Sequence, residues 1–155
     1  MVRAAVGLYR AILASGSIVG VLDGVAASVF AWARGGTPAG VFRFVASGVF
    51  GQRALTGGMP MVAWGVLFHF TVAIGWTALY FRLAPEIRWL SDHRLLGGML
   101  YGLLVWIAMN LVVLPLSNVA PRPVSLTTAT VVMILIHLFV IGVPIALLQG
   151  RVRAG

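Results

Sequence analysis

The sequence predicts an all-α integral membrane protein: four transmembrane helices and one further helix that lies on, or re-enters, the membrane surface. Composition is the first reason. Hydrophobic residues make up 61% of the 155-residue chain and charged residues 9%, whereas a soluble domain carries about 25% charged residues. Run length is the second. Apolar stretches at 11–33, 60–81, 95–114 and 126–149 each approach or exceed the roughly 20 residues that cross ~30 Å of hydrocarbon at ~1.5 Å per residue. Charge placement is the third. Every basic residue is an arginine, and these cluster at the ends of the apolar runs, where long side chains snorkel to lipid headgroups. The whole chain, 1–155, reads as one transmembrane domain.

The first span, 11–33, repeats a small residue every fourth position at Gly16, Gly20 and Gly24, extended by Ser28. Such a face lets helix backbones approach closely in lipid. Arg3 and Arg10 before it and Ala31-Trp32-Ala33 at its end resemble a secretory signal. The run is longer than the usual apolar core of about 7–15 residues, and it contains Asp23, so a true span is expected.

Residues 38–56 form the least ordinary link. Thr37 supplies an N-cap hydroxyl and Pro38 suits the first helical position. Gly57-Gly58 can end the helix, and Pro60 can begin the second span. Arg43, Gln52 and Arg53 make this segment only partly apolar. It predicts an interfacial or shallow re-entrant helix over the outer mouth of the bundle, with Arg43 and Arg53 as possible gating residues.

After the second span, 60–81, comes a polar loop at 82–94 that contains Glu86, Asp92 and His93. The third span, 95–114, opens with Gly98 and Gly102. Pro115-Leu-Ser-Asn and Pro121-Arg-Pro123 then predict a stiff outer loop, with Asn110 capping or bridging toward Ser117 and Asn118. Tyr80, Trp89, Tyr101 and Trp106 read as interfacial anchors or packing. In the fourth span, 126–149, Pro144 frees a carbonyl near Val140. Arginines favour one orientation: Arg3, Arg10, Arg82, Arg88, Arg94, Arg151 and Arg153 fall on one side, and Arg34, Arg43, Arg53 and Arg122 on the other. The positive-inside rule then puts both termini in the cytoplasm.

The two halves also resemble each other. Leu67-Phe-His69-Phe-Thr-Val72 aligns with Leu135-Ile-His137-Leu-Phe-Val140, and Gly20-Val-Leu22 aligns with Gly102-Leu-Leu104. A parallel repeat of this kind turns about an axis along the membrane normal, which would make His69 and His137 symmetry mates.

Asp23, His69 and His137 are the candidate site. Counted from the outer ends of their spans, all three lie about 14–17 Å deep at helical rise, near the bilayer centre. Ionisable groups at that depth normally face a bundle interior and serve function. Three uses fit: a proton relay, a divalent metal held by two imidazoles and one carboxylate, or a non-covalent b-type haem with His69 and His137 as axial ligands. The plain alternative is that each histidine donates to a nearby hydroxyl or carbonyl and locks the bundle.

Several classes are excluded or weakened. With no cysteine, disulfides, thiolate metal sites and covalently attached haem are ruled out. No basic motif or stacking platform accompanies the net charge of +8, so nucleic acid is not an expected partner. No enzymatic signature appears. The expected partners are the lipid bilayer and a second copy or a larger membrane complex. A non-catalytic accessory or scaffold subunit, packing through its glycine faces, is the competing reading.

Residues 64–140 carry a resemblance. Gly65-Val-Leu-Phe-His69, Ala84-Pro-Glu-Ile, Leu96-Gly-Gly98, Leu114-Pro-Leu-Ser and the histidine of the fourth span resemble the YagU-type family of bacterial inner-membrane proteins. The resemblance implies four spans and a link to acid tolerance, with no biochemical activity attached. This chain lacks that family's long polar outer segments.

Overall fold

The computed structural model describes residues 2–120 and 125–154, with side chains from 6 to 152 within that range. Among them there is no strand, and four helices are long and apolar enough to cross a membrane. Helix α1 is Val2–Ala33 and α2 is Pro38–Phe50. Then come α3, Met59–Leu83, and the short α4, Arg88–Asp92. Helices α5, Arg94–Leu116, and α6, Thr128–Val152, complete the bundle. Both termini therefore lie at one end and α2 at the other.

Capping follows the sequence at the start of α2 and departs from it at the end. The Thr37 hydroxyl accepts from the Gly40 N–H at 3.0 Å. The helix stops at Gly51, whose φ of 66° suits glycine. A 3-10 turn over Gly51–Ala54 follows, so the expected helix over 38–56 is a helix plus a tight turn. Pro60 does lie in the first turn of α3.

Proline has a different effect in α5 from the one expected. The helix runs through Pro115 and ends at Leu116, so the expected loop opens at Ser117 rather than at the proline. The segment before it, Met109–Val113, widens into a π-helix. Likewise His137–Gly142 is a π-helix just before Pro144. A proline ring clashes with the carbonyl four residues earlier and offers it no N–H. One wider turn relieves both problems without ending the helix. The Pro121-Arg122-Pro123 segment lies outside the described residues.

Glycines set how the helices pair. A Cβ at Gly102 would fall on the His137 carbonyl oxygen, and one at Gly98 would lie 2.7 Å from the Gly142 carbonyl oxygen. In the first half a Cβ at Gly20 would sit 2.8 Å from the Phe70 ring, and one at Gly16 would sit 2.8 Å from Ile74. These contacts obey the alignment of the halves. Gly20 and Phe70 correspond to Gly102 and Leu138, and Gly16 and Ile74 correspond to Gly98 and Gly142. The α1–α3 pair and the α5–α6 pair are thus built on the same register. These glycines pack against helices of the same chain.

The bundle is densely packed toward the end that holds the termini. Val19, Tyr80, Tyr101, Val105, Ile141 and Ile145 meet there. Tyr101 donates its hydroxyl to the Trp76 carbonyl at 2.6 Å, tying α5 to α3, and its ring packs edge-on to Tyr80 at 4.8 Å. These two tyrosines are core residues rather than surface anchors. Outside, Val21, Val25, Val29, Leu104 and Leu111 are exposed, as a lipid-facing surface requires.

Because backbone rather than a flexible side chain opposes Gly102, Gly102→Leu should destabilise the protein by about 3 kcal/mol, the upper part of the overpacking range. Gly75→Ala, where a Cβ meets nothing within 4 Å, should change little. Thermal unfolding of both variants in detergent checks this.

Candidate functional site

Asp23 and His69 face each other across the α1–α3 contact. The His69 Nδ1 lies 4.0 Å from Asp23 Oδ2. Its other nitrogen, Nε2, donates to the Gly20 carbonyl at 2.8 Å. A carbonyl can only accept, so Nε2 carries the hydrogen and, in the neutral ring, Nδ1 is a bare lone pair. Space for this bond comes from glycine: a Cβ at Gly24 would lie 3.3 Å from Nε2. The ring is further held edge-on by Phe42 of α2, at 5.7 Å, and by Phe70, at 5.5 Å.

His137 occupies the matching place in α6. Its Nδ1 donates to the Met133 carbonyl at 2.8 Å, so the neutral ring keeps Nε2 as its acceptor. The residue is buried. The structure therefore places His69 in ion-pair range of Asp23, while the hydrogen bond of the His137 ring is to its own helix. Each histidine also makes the plain bond to a backbone carbonyl that a purely structural role would require.

Above His137, toward the end that carries α2, lies a cavity of about 1040 Å³. Its walls are Phe44 and Val45 of α2, Phe68 of α3, Trp106 and Asn110 of α5, and Met133 and His137 of α6, among others. Sequence reasoning missed this cavity. The signals were the two prolines, because the π-helical segments they impose place Asn110 and His137 on its wall. Asn110 does not bridge toward Ser117 or Asn118; its amide donates to the Trp106 carbonyl at 2.9 Å. Asn118 instead holds α2: its backbone N–H donates to the Gly48 carbonyl at 2.9 Å, and its side chain to the Val49 carbonyl at 2.7 Å.

The remaining sequence-derived residues separate. Arg43 is half-buried, donates to the Gly57 carbonyl at 3.3 Å, and has a buried Nε with no hydrogen-bond partner among the described residues. Arg53 is exposed, donating to the Phe50 carbonyl and lying over the Phe50 ring. It folds back on its own turn and lines no part of the cavity.

Two ligand readings meet geometric obstacles. Among the described residues no group of three or more His, Asp or Glu side chains is disposed to hold a metal ion, so the expected two-imidazole, one-carboxylate shell is not assembled. A haem iron between the histidines is also disfavoured, because α1 packs directly on His69 Nε2. Comparison with protein-family models, curated proteins and solved structures gives no match to this chain.

The bond to Gly20 makes a prediction about His69. Gln can still donate an amide hydrogen to that carbonyl, whereas Leu cannot. His69→Gln should stay within about 0.5 kcal/mol of wild type, and His69→Leu should lose about 1–2 kcal/mol. Chemical denaturation in mixed micelles distinguishes the two.

Proposed function

We propose that this protein is a multi-pass inner-membrane protein whose Asp23–His69–His137 cluster takes up and holds a proton. One observation carries the reading. The Gly20 carbonyl commits Nε2 of His69 to donation, so an unprotonated Nδ1 and a carboxylate oxygen face each other at 4.0 Å. Two electron-rich atoms so placed repel unless a proton resides on one of them. That distance is too long for a hydrogen bond, and closing it to about 3 Å needs an ångström of side-chain movement. Protonation favours that closure: it converts the repulsion to an ion pair or to a carboxyl-to-imidazole hydrogen bond. His137, buried at the matching position of α6, is the second proton acceptor of the cluster.

The arginine distribution supports cytoplasmic termini, which would place α2 and the cavity on the outer side. A proton arriving from that side meets His137 on the cavity wall first. The packed core around Tyr80 and Tyr101 lies between the cluster and the opposite end, which suits a site that binds a proton better than one that conducts it. The half-chain resemblance to YagU-type proteins belongs to the same reading and carries only the four-span topology.

Infrared difference spectra of the purified protein in nanodiscs, recorded across a pH titration, test the proposal. Wild type should show a carboxyl or imidazole band change that Asp23→Asn removes and His69→Gln alters. If Asp23→Asn and wild type titrate alike, the cluster is not the proton site.

A further inference from the structure

The cavity beside His137 is the vacant counterpart of a seat that the first half fills. In that half α2 lies on the α3 helix so closely that a Cβ at Gly65 would strike the Phe42 carbonyl, and the Phe42 ring covers His69. The alignment of the halves makes Met133 the counterpart of Gly65 and His137 the counterpart of His69. Among the described residues of the 117–127 link there is no helix to play the part of α2. Met133 and His137 border a space of about 1040 Å³ instead, which matches the upper end of small-molecule sites at about 300–1,000 Å³.

The wall restricts what can occupy this space. Among the described residues it contains no charged side chain, which suits an occupant with a neutral head. Most polar groups on it are already engaged. Ser117 donates to the Leu114 carbonyl at 2.7 Å, and Thr130 donates to the Ser125 carbonyl at 2.6 Å. Ser125 lies at the exposed rim. Deeper in, two groups keep capacity: His137, whose Nδ1 is spent on Met133, and Asn110, which spends one of its two amide hydrogens on Trp106. A neutral imidazole Nε2 accepts, and the second amide hydrogen of Asn110 donates. A hydroxyl answers both, donating to His137 and accepting from Asn110. Trp106 and Phe68 on the same wall suit a flat head.

We infer that the cavity binds a lipophilic phenol of the hydroquinone class, with its hydroxyl between His137 Nε2 and Asn110 and its apolar tail directed to the bilayer. The inference shares His137 with the proton-site reading but stands on the neutral ring, whose Nε2 accepts because Nδ1 is engaged by Met133.

Full-length protein in phosphatidylcholine nanodiscs is titrated with a bromine-substituted 4-decylphenol, and tryptophan quenching is read against the same titration with brominated decylbenzene. Saturable quenching by the phenol is expected, lost when Trp106 is replaced by Phe and weakened about tenfold in Asn110→Leu and in His137→Phe. The decylbenzene should show only non-saturable partitioning. Equal saturable binding of both probes would mean that the cavity takes any acyl chain and would overturn the inference. So would absence of saturable quenching, or phenol binding unchanged in both cavity variants. The probe comparison uses wild-type protein and holds even if a variant fails to fold. Proton uptake on the same preparation separates the two claims: phenol binding without it overturns only the function proposed above, and proton uptake without phenol binding overturns only this inference.

Discussion

Close approach of helix backbones at glycine is the constraint on which the rest of this structure depends. Lipid gives apolar side chains little reason to prefer protein to membrane, so helices associate through tight packing and polar bonds. Here α5 and α6 touch backbone to backbone at Gly102 and Gly142, and α1 admits the Phe70 and His69 rings at Gly20 and Gly24. That second contact does chemical as well as structural work. With no side chain at either glycine, the His69 ring reaches a main-chain carbonyl, and the bond decides which nitrogen is left facing Asp23. Packing at one position thus sets the protonation chemistry of another.

Repetition of that packing explains the layered site, and its imperfection explains the cavity. Equivalent glycines hold α3 against α1 and α6 against α5 in one register, so the two histidines arrive at corresponding places. The surroundings then diverge. α2 belongs to the first half alone and covers His69, whereas His137 is left beside open space. Pro115 and Pro144 enlarge the difference. Each forces a wider turn in its own helix, and both turns border that space. At the other end, the core around Tyr80 and Tyr101 is fully packed.

How much of this is legible in the sequence varies with the physics involved. The four spans follow from length and hydropathy, and depth arithmetic alone places Asp23, His69 and His137 in a common layer. The start of α2 is equally readable, because Thr37 and Pro38 act locally. Its end is not: Gly51 and Gly57-Gly58 are all competent to stop a helix, and tertiary contacts such as that of Asn118 with Gly48 select the first. Pro115 misleads for a related reason. The local rule says that a helix stops there, yet in an apolar setting unpaired backbone is so costly that a π turn is the cheaper solution. The cavity is invisible in the sequence because it arises from the difference between two packed halves. No single motif encodes that.

A structural role for the two histidines and the proposed proton site are compatible. An imidazole has two ring nitrogens, and each ring here spends one on a backbone carbonyl: Nε2 of His69 on Gly20, and Nδ1 of His137 on Met133. A ring free to rotate would present either nitrogen to Asp23, and a proton would find no defined acceptor. Fixing one nitrogen removes that freedom and directs the other, as the outer hydrogen bond of a metal-bound histidine fixes its tautomer. The repeat uses opposite nitrogens for the fixed bond. Nδ1 of His69 therefore faces the carboxylate, while Nε2 of His137 is the nitrogen left over. The same carbonyl bonds that a purely structural account would cite are what would give the proposed proton site a defined acceptor.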